Sequence, residues 1–234
     1  MTGVDMDVNV ATHRRLWLTT GWLTIAFVVL TFVGIIPQKA VTMGDKQASV
    51  RDALVTSSMS KTFAGYYVEF VAGLVFLAAM LLLARLLRGR GETTGWLASC
   101  ISAAAIVYVA VSLATGGAAG AAAIYDGHHG ASLATVTTVN DIRNVGYAIS
   151  GGVAGLLVLA ASGAGLTTRL LPRWLSYAGF VVGVVLIAAV PAVKAGAPQT
   201  MLWFLWLVVT GVVCLRRARV AHTQLGVSAS PLTA

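Results

Sequence analysis

Long apolar runs alternate with short polar stretches along almost the whole chain. A helix needs about 20 apolar residues to cross about 30 Å of hydrocarbon, because it rises about 1.5 Å per residue. Six such runs occur, the last of them shorter, and they lack the period of two that marks the strands of a membrane barrel. The pattern predicts an all-α polytopic membrane protein, a bundle of six transmembrane helices, with spans at Leu16–Ile36, Phe63–Leu83, Trp96–Ala122, Val139–Ala161, Trp174–Ala192 and Met201–Leu215.

Composition and charge agree with this class of protein. Hydrophobic residues make up 58% of the 234 residues and charged residues only 10%, whereas a soluble domain has about 25% charged residues. If the spans alternate in direction, ten of the 16 Lys and Arg residues fall on one side of the membrane, in the tails and short connections. The positive-inside rule therefore predicts a cytoplasmic tail at 1–15, a transmembrane domain at 16–217 and a second cytoplasmic tail at 218–234.

This distribution also bears on partners and location. The net charge of +8 follows the topology and does not form the basic patch that nucleic-acid binding requires. The sequence therefore predicts contact with the lipid bilayer, no nucleic-acid partner, and a multi-pass protein of the cell membrane, the bacterial plasma membrane in particular.

One connection between spans is long enough to hold structure of its own. The connections at 84–95 and 162–173 are short, which makes their flanking helices antiparallel neighbours. In the connection at 37–62, Val50 and Leu54 lie at helical spacing. Two interpretations stay open for it, a short surface helix that covers an outward-facing pocket, and a solvated connection with one amphipathic turn.

Small residues four positions apart recur in three of the spans. Lipid gives helices no hydrophobic reason to associate, so close backbone approach at small residues is a main source of packing energy. We expect these faces to hold the bundle together, and they are also the surfaces through which a homo-oligomer would form. The pairs are Gly116 with Gly120, Gly151 with Gly155, and Gly179 with Gly183.

An acidic residue lies inside the second span. An ionisable side chain in hydrocarbon costs about 2.5 to 3.5 kcal/mol, so it normally faces the protein interior and is paired or functional. Glu69 shares one helical face with Gly65, Tyr66, Gly73 and Phe76. This face combines two glycines, which leave room for a neighbouring helix, with a carboxyl group and a hydroxyl group.

A second polar cluster opens the fourth span, in the stretch "TVNDIRNVGYAISGG". On a helix, Asn140, Asn144 and Tyr147 line up, with Asp141 and Arg143 on the two edges of the same face. The second and fourth spans enter the membrane from the same side, so this face and the acid of the second span are expected to reach a similar depth.

Two interpretations of these residues stay open. The first is a structural ion pair between Arg143 and Glu69, completed by Asn140 and Asn144. The second is an outward-opening pocket, favoured because there are more polar groups than one ion pair needs. In the pocket, Glu69 and Asp141 are the candidate catalytic acids, and the substrate-binding residues are Tyr66, Tyr108, Asn140, Arg143, Asn144 and Tyr147.

Other chemistry has little support in the sequence. The segment "IYDGHHGAS" contains Asp126, His128 and His129, but a metal site needs further ligands and adjacent histidines cannot easily share one ion on a helix. Cys100 and Cys214 are expected to be small buried hydrophobes. There is no HExxH, GxSxG, CxxC, Walker or DDxxD motif. We therefore predict no metal site and no cofactor.

Three stretches carry a resemblance to a known group of proteins. "YYVEFVAGLVFLAAMLLLARLLR", "VNDIRNVGYAISGGVAGLLVLA" and "LLPRWLSYAGFVVGVV" resemble the uncharacterised six-span integral membrane proteins that are common in actinobacteria, a domain of unknown function. That resemblance covers roughly residues 16–217 and implies a fold without an activity. In size and in its two acids the chain is also similar to small integral-membrane terpene cyclases, which implies acid catalysis, although those proteins usually have seven spans.

The function predicted from these features is a pocket for a lipophilic small molecule, open to the outer side of the membrane. In its chemical version, a cyclase or isomerase of the terpene-cyclase type, Glu69 or Asp141 donates a proton, Arg143 sets their charge and the tyrosines stabilise a cation. The alternative is a non-enzymatic transporter, sensor or interaction protein in which the polar cluster is structural or a gate.

Overall fold

The computed structural model describes residues 3–39, 41–89, 91–191 and 196–228, and the regular structure in these residues is helical. Helix α4 passes without a break into a π-helical segment and then into α5. The elements are α1 Gly3–Ile35, α2 Gln47–Leu54, α3 Met59–Leu87, α4 Glu92–Val111, the π segment Ser112–Ala118, α5 Ala119–His128, α6 Leu133–Thr168, α7 Arg173–Ala188 and α8 Gly196–Ser228.

Five stretches within the described residues are long and apolar enough to cross a membrane, so the prediction of a helical membrane protein is confirmed at this level. They are Thr12–Ile35, Met59–Leu87, Glu92–His128, Leu133–Thr168 and Thr200–Arg219. The predicted fifth span corresponds to α7, which is apolar but has only 16 residues. It is about 24 Å long, shorter than the hydrocarbon thickness of about 30 Å.

The terminal helices are longer than the sequence pattern predicts. Helix α1 begins at Gly3 and α8 ends at Ser228. Most of both predicted tails therefore continues these helices, while residues 1–2 and 229–234 lie outside the described part of the chain.

The long helices form a ring. Each of α1, α3, α4, α6, α7 and α8 packs against the next one in that order, and α8 packs back against α1. At one end of the ring Arg217 Nη2 donates a hydrogen bond of 3.2 Å to the carbonyl of Arg169, and Arg85 occupies the last turn of α3. We call this the basic end. The opposite end carries residues 36–58, which include α2 and which we call the cap.

Glycine contacts close three of the seams in the ring. A Cβ on Gly155 of α6 would lie 2.7 Å from the carbonyl oxygen of Gly183 on α7, so only glycine lets these backbones come so close. The α1–α8 and α1–α3 seams are built in the same way, by Gly21 with Gly211 and by Gly34 with Gly65.

Five of the six glycines predicted to form packing faces lie against other residues of the same chain, whereas a Cβ on Gly151 would meet nothing within 4 Å. Gly179 lies against Ser162 and the indole of Trp206, while Gly116 and Gly120 lie against tyrosine rings. These faces therefore contribute to the packing of the bundle itself, and they supply no argument for contact between copies.

Two apolar cores stabilise the molecule. The larger fills the ring toward the basic end and includes the fully buried Cys214, while Cys100 is half-buried; both thiols are free. The smaller joins the cap to α5 and the start of α6. The larger core contains Phe76, Met80, Leu83, Leu87, Ile101, Leu157, Leu175 and Leu207, and the smaller contains Val41, Val50, Ala53, Leu54, Ala123, Ile124 and Val136.

Candidate functional site

A cavity of about 910 Å³ lies inside the ring, between the larger core and the cap. All six ring helices and the π segment contribute to its walls, and Thr42 and Met43 of the cap cover part of it. π-helical turns occur frequently at functional sites. The walls are mostly apolar, with aromatic side chains from five helices, among them Phe27, Tyr66, Tyr108, Tyr147, Trp203 and Phe204.

Six of the eight residues predicted for the site line this cavity, and two do not. Asn140 and Asp141 are absent from the lining. The six are Tyr66, Glu69, Tyr108, Arg143, Asn144 and Tyr147.

The floor of the cavity is an aromatic cluster. The ring of Tyr108 lies 4.8 Å from that of Phe76 and 6.2 Å from that of Trp203, measured between centroids. Sequence reasoning missed Trp203 and Phe204 of α8. The run "LWFLWL" was the available signal, but aromatic residues in a span face lipid as often as they face a pocket.

Glu69 is the carboxylate of the cavity wall. It lies 18 residues before the end of α3 at Leu87, which places it about 27 Å along the helix, near the far side of the hydrocarbon. The hydroxyl of Tyr147 donates a hydrogen bond of 3.3 Å to Glu69 Oε2. The side chain of Glu69 also occupies the space beside Gly34, where a Cβ would lie 2.8 Å from Glu69 Cγ. Glu69 therefore joins α1, α3 and α6.

Glycines position the two tyrosines of the wall. A Cβ on Gly120 would lie 2.5 Å from the hydroxyl oxygen of Tyr66, and one on Gly116 would lie 3.1 Å from the ring of Tyr147. The predicted small-residue pair on the third span thus leaves room for two tyrosine rings from α3 and α6.

Arg143 lies between those two rings. Its Cζ is 5.6 Å from the ring centroid of Tyr66 and 5.2 Å from that of Tyr147, within the range of cation–π attraction. Its Nη2 donates a hydrogen bond of 2.8 Å to Gln38 Oε1 in the cap. The side chain is only 8% exposed, and its Nε has no hydrogen-bond partner.

The ion pair expected between Arg143 and Glu69 is not formed. Among the described residues the ion pair is Lys39 with Asp52, on the surface. Opposite charges at similar depth suggested direct contact, but Tyr147 bonds to the carboxylate through its hydroxyl and covers the guanidinium with its ring. Arg143 and Glu69 are therefore connected through Tyr147 and not by direct contact.

The remaining polar residues of α6 have separate surroundings. Asn140 is buried and its Nδ2 donates a hydrogen bond of 3.4 Å to the carbonyl of Val41 in the cap. Asn144 lines the cavity, and its Nδ2 has no hydrogen-bond partner. Asp141 is half-buried outside the cavity and forms no ion pair with another described residue. A catalytic role beside Glu69 would need it in the cavity, so the pairing of these two acids has no geometric basis.

The cap is fastened to the bundle through polar contacts that the sequence did not reveal. Gln38 accepts from Arg143 and also donates a hydrogen bond of 3.0 Å from its Nε2 to the carbonyl of Gly34. His128 Nε2 lies 2.8 Å from the carbonyl oxygen of Ser57. The short helix predicted around Val50 is present as α2, but it packs against α5 and α6 and does not line the cavity. The part of the connection that covers the cavity is Thr42 and Met43.

Two acids on the cap surface have perturbed titration. The backbone N–H of Thr42 donates to Asp45, and Lys39 Nζ donates to Asp52 at 2.7 Å. Hydrogen bonds to the ionised carboxylates hold the pKa of each below its ordinary value of 3.8. Both acids are therefore charged at neutral pH.

The two adjacent histidines occupy different environments. His128 faces the cap, whereas the ring of His129 stacks on that of Tyr125, with centroids 4.0 Å apart. In the part of the chain that the structure describes, no group of three or more His, Cys, Asp or Glu side chains is arranged to hold a metal ion.

Comparison with known proteins gives a family without an activity. No protein of curated function and no solved structure matches the chain. The family model described as "Domain of unknown function (DUF4386)" matches residues 19–217, which include α3, α4, α6 and α7 in full, most of α8, half of α1 and every residue of the cavity wall. The chain therefore belongs to the DUF4386 family.

Proposed function

We propose that this protein binds a lipophilic small molecule in the cavity under the cap. The observation that carries the proposal is the cavity itself, with its apolar and aromatic walls and with charged and amide groups gathered near the cap. Its volume of about 910 Å³ lies within the range of about 300 to 1,000 Å³ that small-molecule sites occupy. Sites of this type use apolar walls for affinity and a few polar groups for orientation.

The membrane arrangement that we infer has six crossings, with both termini in the cytoplasm and the cap on the outer side of the bacterial plasma membrane. In support, α7 packs in the ring beside α6 and α8, and the basic end collects the arginines of the short connections. Ser49 on α2 and Thr93 on α4 are exposed at opposite ends of the molecule. Introduced cysteines at these positions test the arrangement: a membrane-impermeant maleimide added to intact cells is expected to label Ser49→Cys and to spare Thr93→Cys. The reverse labelling would invert the orientation.

The cavity is tested by filling it. A Cβ at Gly151 meets nothing within 4 Å, and Gly151 lines the cavity. The Cβ of Gly151→Phe therefore meets no neighbour, and its ring is expected to occupy part of the cavity. Gly95 on α4 is the matched control, since its Cβ also meets nothing within 4 Å but it lies outside the cavity.

The readout is native mass spectrometry of the purified protein with added oleyl alcohol as the probe. We expect the unsubstituted protein and Gly95→Phe to retain the alcohol and Gly151→Phe to lose it, with similar thermal stability in detergent for all three. Equal retention by the two variants would show that the bound probe lies elsewhere, and the proposal would then be wrong.

An acid-catalysed conversion in this cavity would depend on Glu69 alone. Of the two acids expected to act, only Glu69 lies in the wall, where it accepts a hydrogen bond from Tyr147. We therefore propose binding as the function, since transport, sensing and conversion each begin with it. Glu69→Gln separates these roles: a variant that still binds the probe but has lost the cellular phenotype would assign Glu69 a step after binding.

A further inference from the structure

The charge in the cavity wall carries information about the bound molecule. Arg143 is 92% buried, as its exposure of 8% shows, and forms no ion pair with another described residue. Burying a charge without a countercharge is costly. The groups in contact with the guanidinium are the neutral amide of Gln38 and the faces of Tyr66 and Tyr147. The carboxylate of Glu69 acts on it from the other side of Tyr147, but the two charges do not form an ion pair.

The atoms without partners point to the same conclusion. Arg143 Nε and Asn144 Nδ2 are hydrogen-bond donors without acceptors, and both side chains line the cavity one residue apart on α6. Glu69, the carboxylate of the wall, already accepts the hydroxyl of Tyr147. Near the cap, then, the wall has two buried donors without acceptors and a guanidinium that forms no ion pair with another described residue.

We propose that the bound molecule is an amphiphile with an anionic head, a carboxylate or a phosphate monoester, on a single apolar tail. The head lies against Arg143 and Asn144, beneath the cap. The tail extends toward the aromatic floor at Tyr108 and Trp203. This inference rests on the proposed function, because it names the class of molecule that the same cavity accepts.

The test compares four probes that share one tail and differ in the head: oleate, oleyl phosphate, oleyl alcohol and oleylamine. Native mass spectrometry at increasing probe concentration gives the relative affinities. We expect an anionic probe to bind at least tenfold more tightly than the alcohol, which corresponds to about 1.4 kcal/mol. Whether oleate or oleyl phosphate is the tighter ligand identifies the head as a carboxylate or a phosphate.

Three variants connect the selectivity to the named residues. Arg143→Gln is expected to abolish the preference for an anion while the alcohol still binds. Arg51→Gln removes a positive charge from the exposed surface of the cap, and it is expected to retain the preference, which excludes general attraction of anions to a basic protein. Asn144→Leu removes one donor without touching a cap contact, and it is expected to lower the preference even if Arg143→Gln does not fold.

The outcomes separate the two proposals. Equal binding of all four probes would overturn the anionic head and leave the lipophilic cavity standing. Tightest binding of oleylamine would overturn it as well and would make Glu69 the recognition group. Failure of every probe to bind would overturn both proposals together.

Discussion

Replacement of Gln38 by Met is expected to loosen the cap much more than the loss of the neighbouring surface ion pair. Gln38 and Lys39 are adjacent. Gln38 accepts a hydrogen bond of 2.8 Å from Arg143 and donates one of 3.0 Å to the carbonyl of Gly34, whereas Lys39 donates one of 2.7 Å to Asp52. The first bond is partly buried and ends on a guanidinium, whereas Lys39 and Asp52 have side chains that are 51% and 64% exposed. The distances alone would give the two contacts equal contributions to cap stability. The difference in solvent exposure makes the contact between Gln38 and Arg143 the stronger one.

The magnitudes follow from this difference. A hydrogen bond to a charged group contributes about 1.5 to 3 kcal/mol, whereas an exposed ion pair contributes little, because water screens it. At about 1.4 kcal/mol per tenfold change, Gln38→Met should increase the opening equilibrium of the cap by roughly 10- to 150-fold. Lys39→Met should change this equilibrium much less.

Hydrogen exchange of the α2 amides, Gln47–Leu54, measures this opening directly. Amides in the middle of α3 serve as the internal reference, because they belong to the larger core and do not depend on the cap. If Lys39→Met accelerated exchange in α2 as much as Gln38→Met, the argument that burial decides which contact holds the cap would be refuted.

Two further predictions concern packing and pH. Gly155→Val should lower the melting temperature in detergent, since its Cβ would lie 2.7 Å from the carbonyl oxygen of Gly183 and overpacking costs about 1 to 3 kcal/mol, whereas Gly151→Val, with open space at its Cβ, should not. Equal destabilisation by both would contradict the assigned seam. The lowered pKa of Asp52 means that its contribution to cap stability is complete above the ordinary value of 3.8 and is lost as pH falls below it. Asp52→Asn should remove that part of the pH dependence of α2 exchange, corrected for intrinsic rates, and an unchanged profile would contradict it.

The sequence predicted the helical membrane fold because the apolar runs are long. It did not predict where some of the helices begin and end. Hydropathy continues past Ala188, so the pattern placed the fifth span up to Ala192, but α7 ends at Ala188. Conversely, α6 begins at Leu133, six residues before the predicted span, because Ser132 caps it by accepting a hydrogen bond from the N–H of Thr135. A hydropathy window does not detect a polar residue that caps the N-terminus of a helix.

Helical spacing predicted which residues of α6 share a face but not what that face meets. The partner of Arg143 is Gln38, 105 residues away at the start of the connection after α1, and no sequence pattern relates the two positions. The partner of Asn140 is a backbone carbonyl, at Val41, which no side-chain pattern encodes. Opposite charge suggested Glu69 as the partner of Arg143. A single sequence does not show that a tyrosine ring lies between the two charged groups.

The polar stretch at the start of α6 is therefore explained by its place in the molecule. Arg143 lies 25 residues before the end of α6 at Thr168, about 37 Å along the helix, a distance longer than the hydrocarbon thickness of about 30 Å. If the hydrocarbon begins at that end of α6, Arg143 lies outside it, where the cost of about 2.5 to 3.5 kcal/mol for a charge at the bilayer centre does not apply. Asn140 and Arg143 bond to the cap, while Asn144 and Tyr147 line the cavity beneath it. One polar face of α6 thus holds the cap and forms part of the cavity wall. A substitution that alters the contacts with the cap is therefore expected to alter the cavity as well, and the reverse.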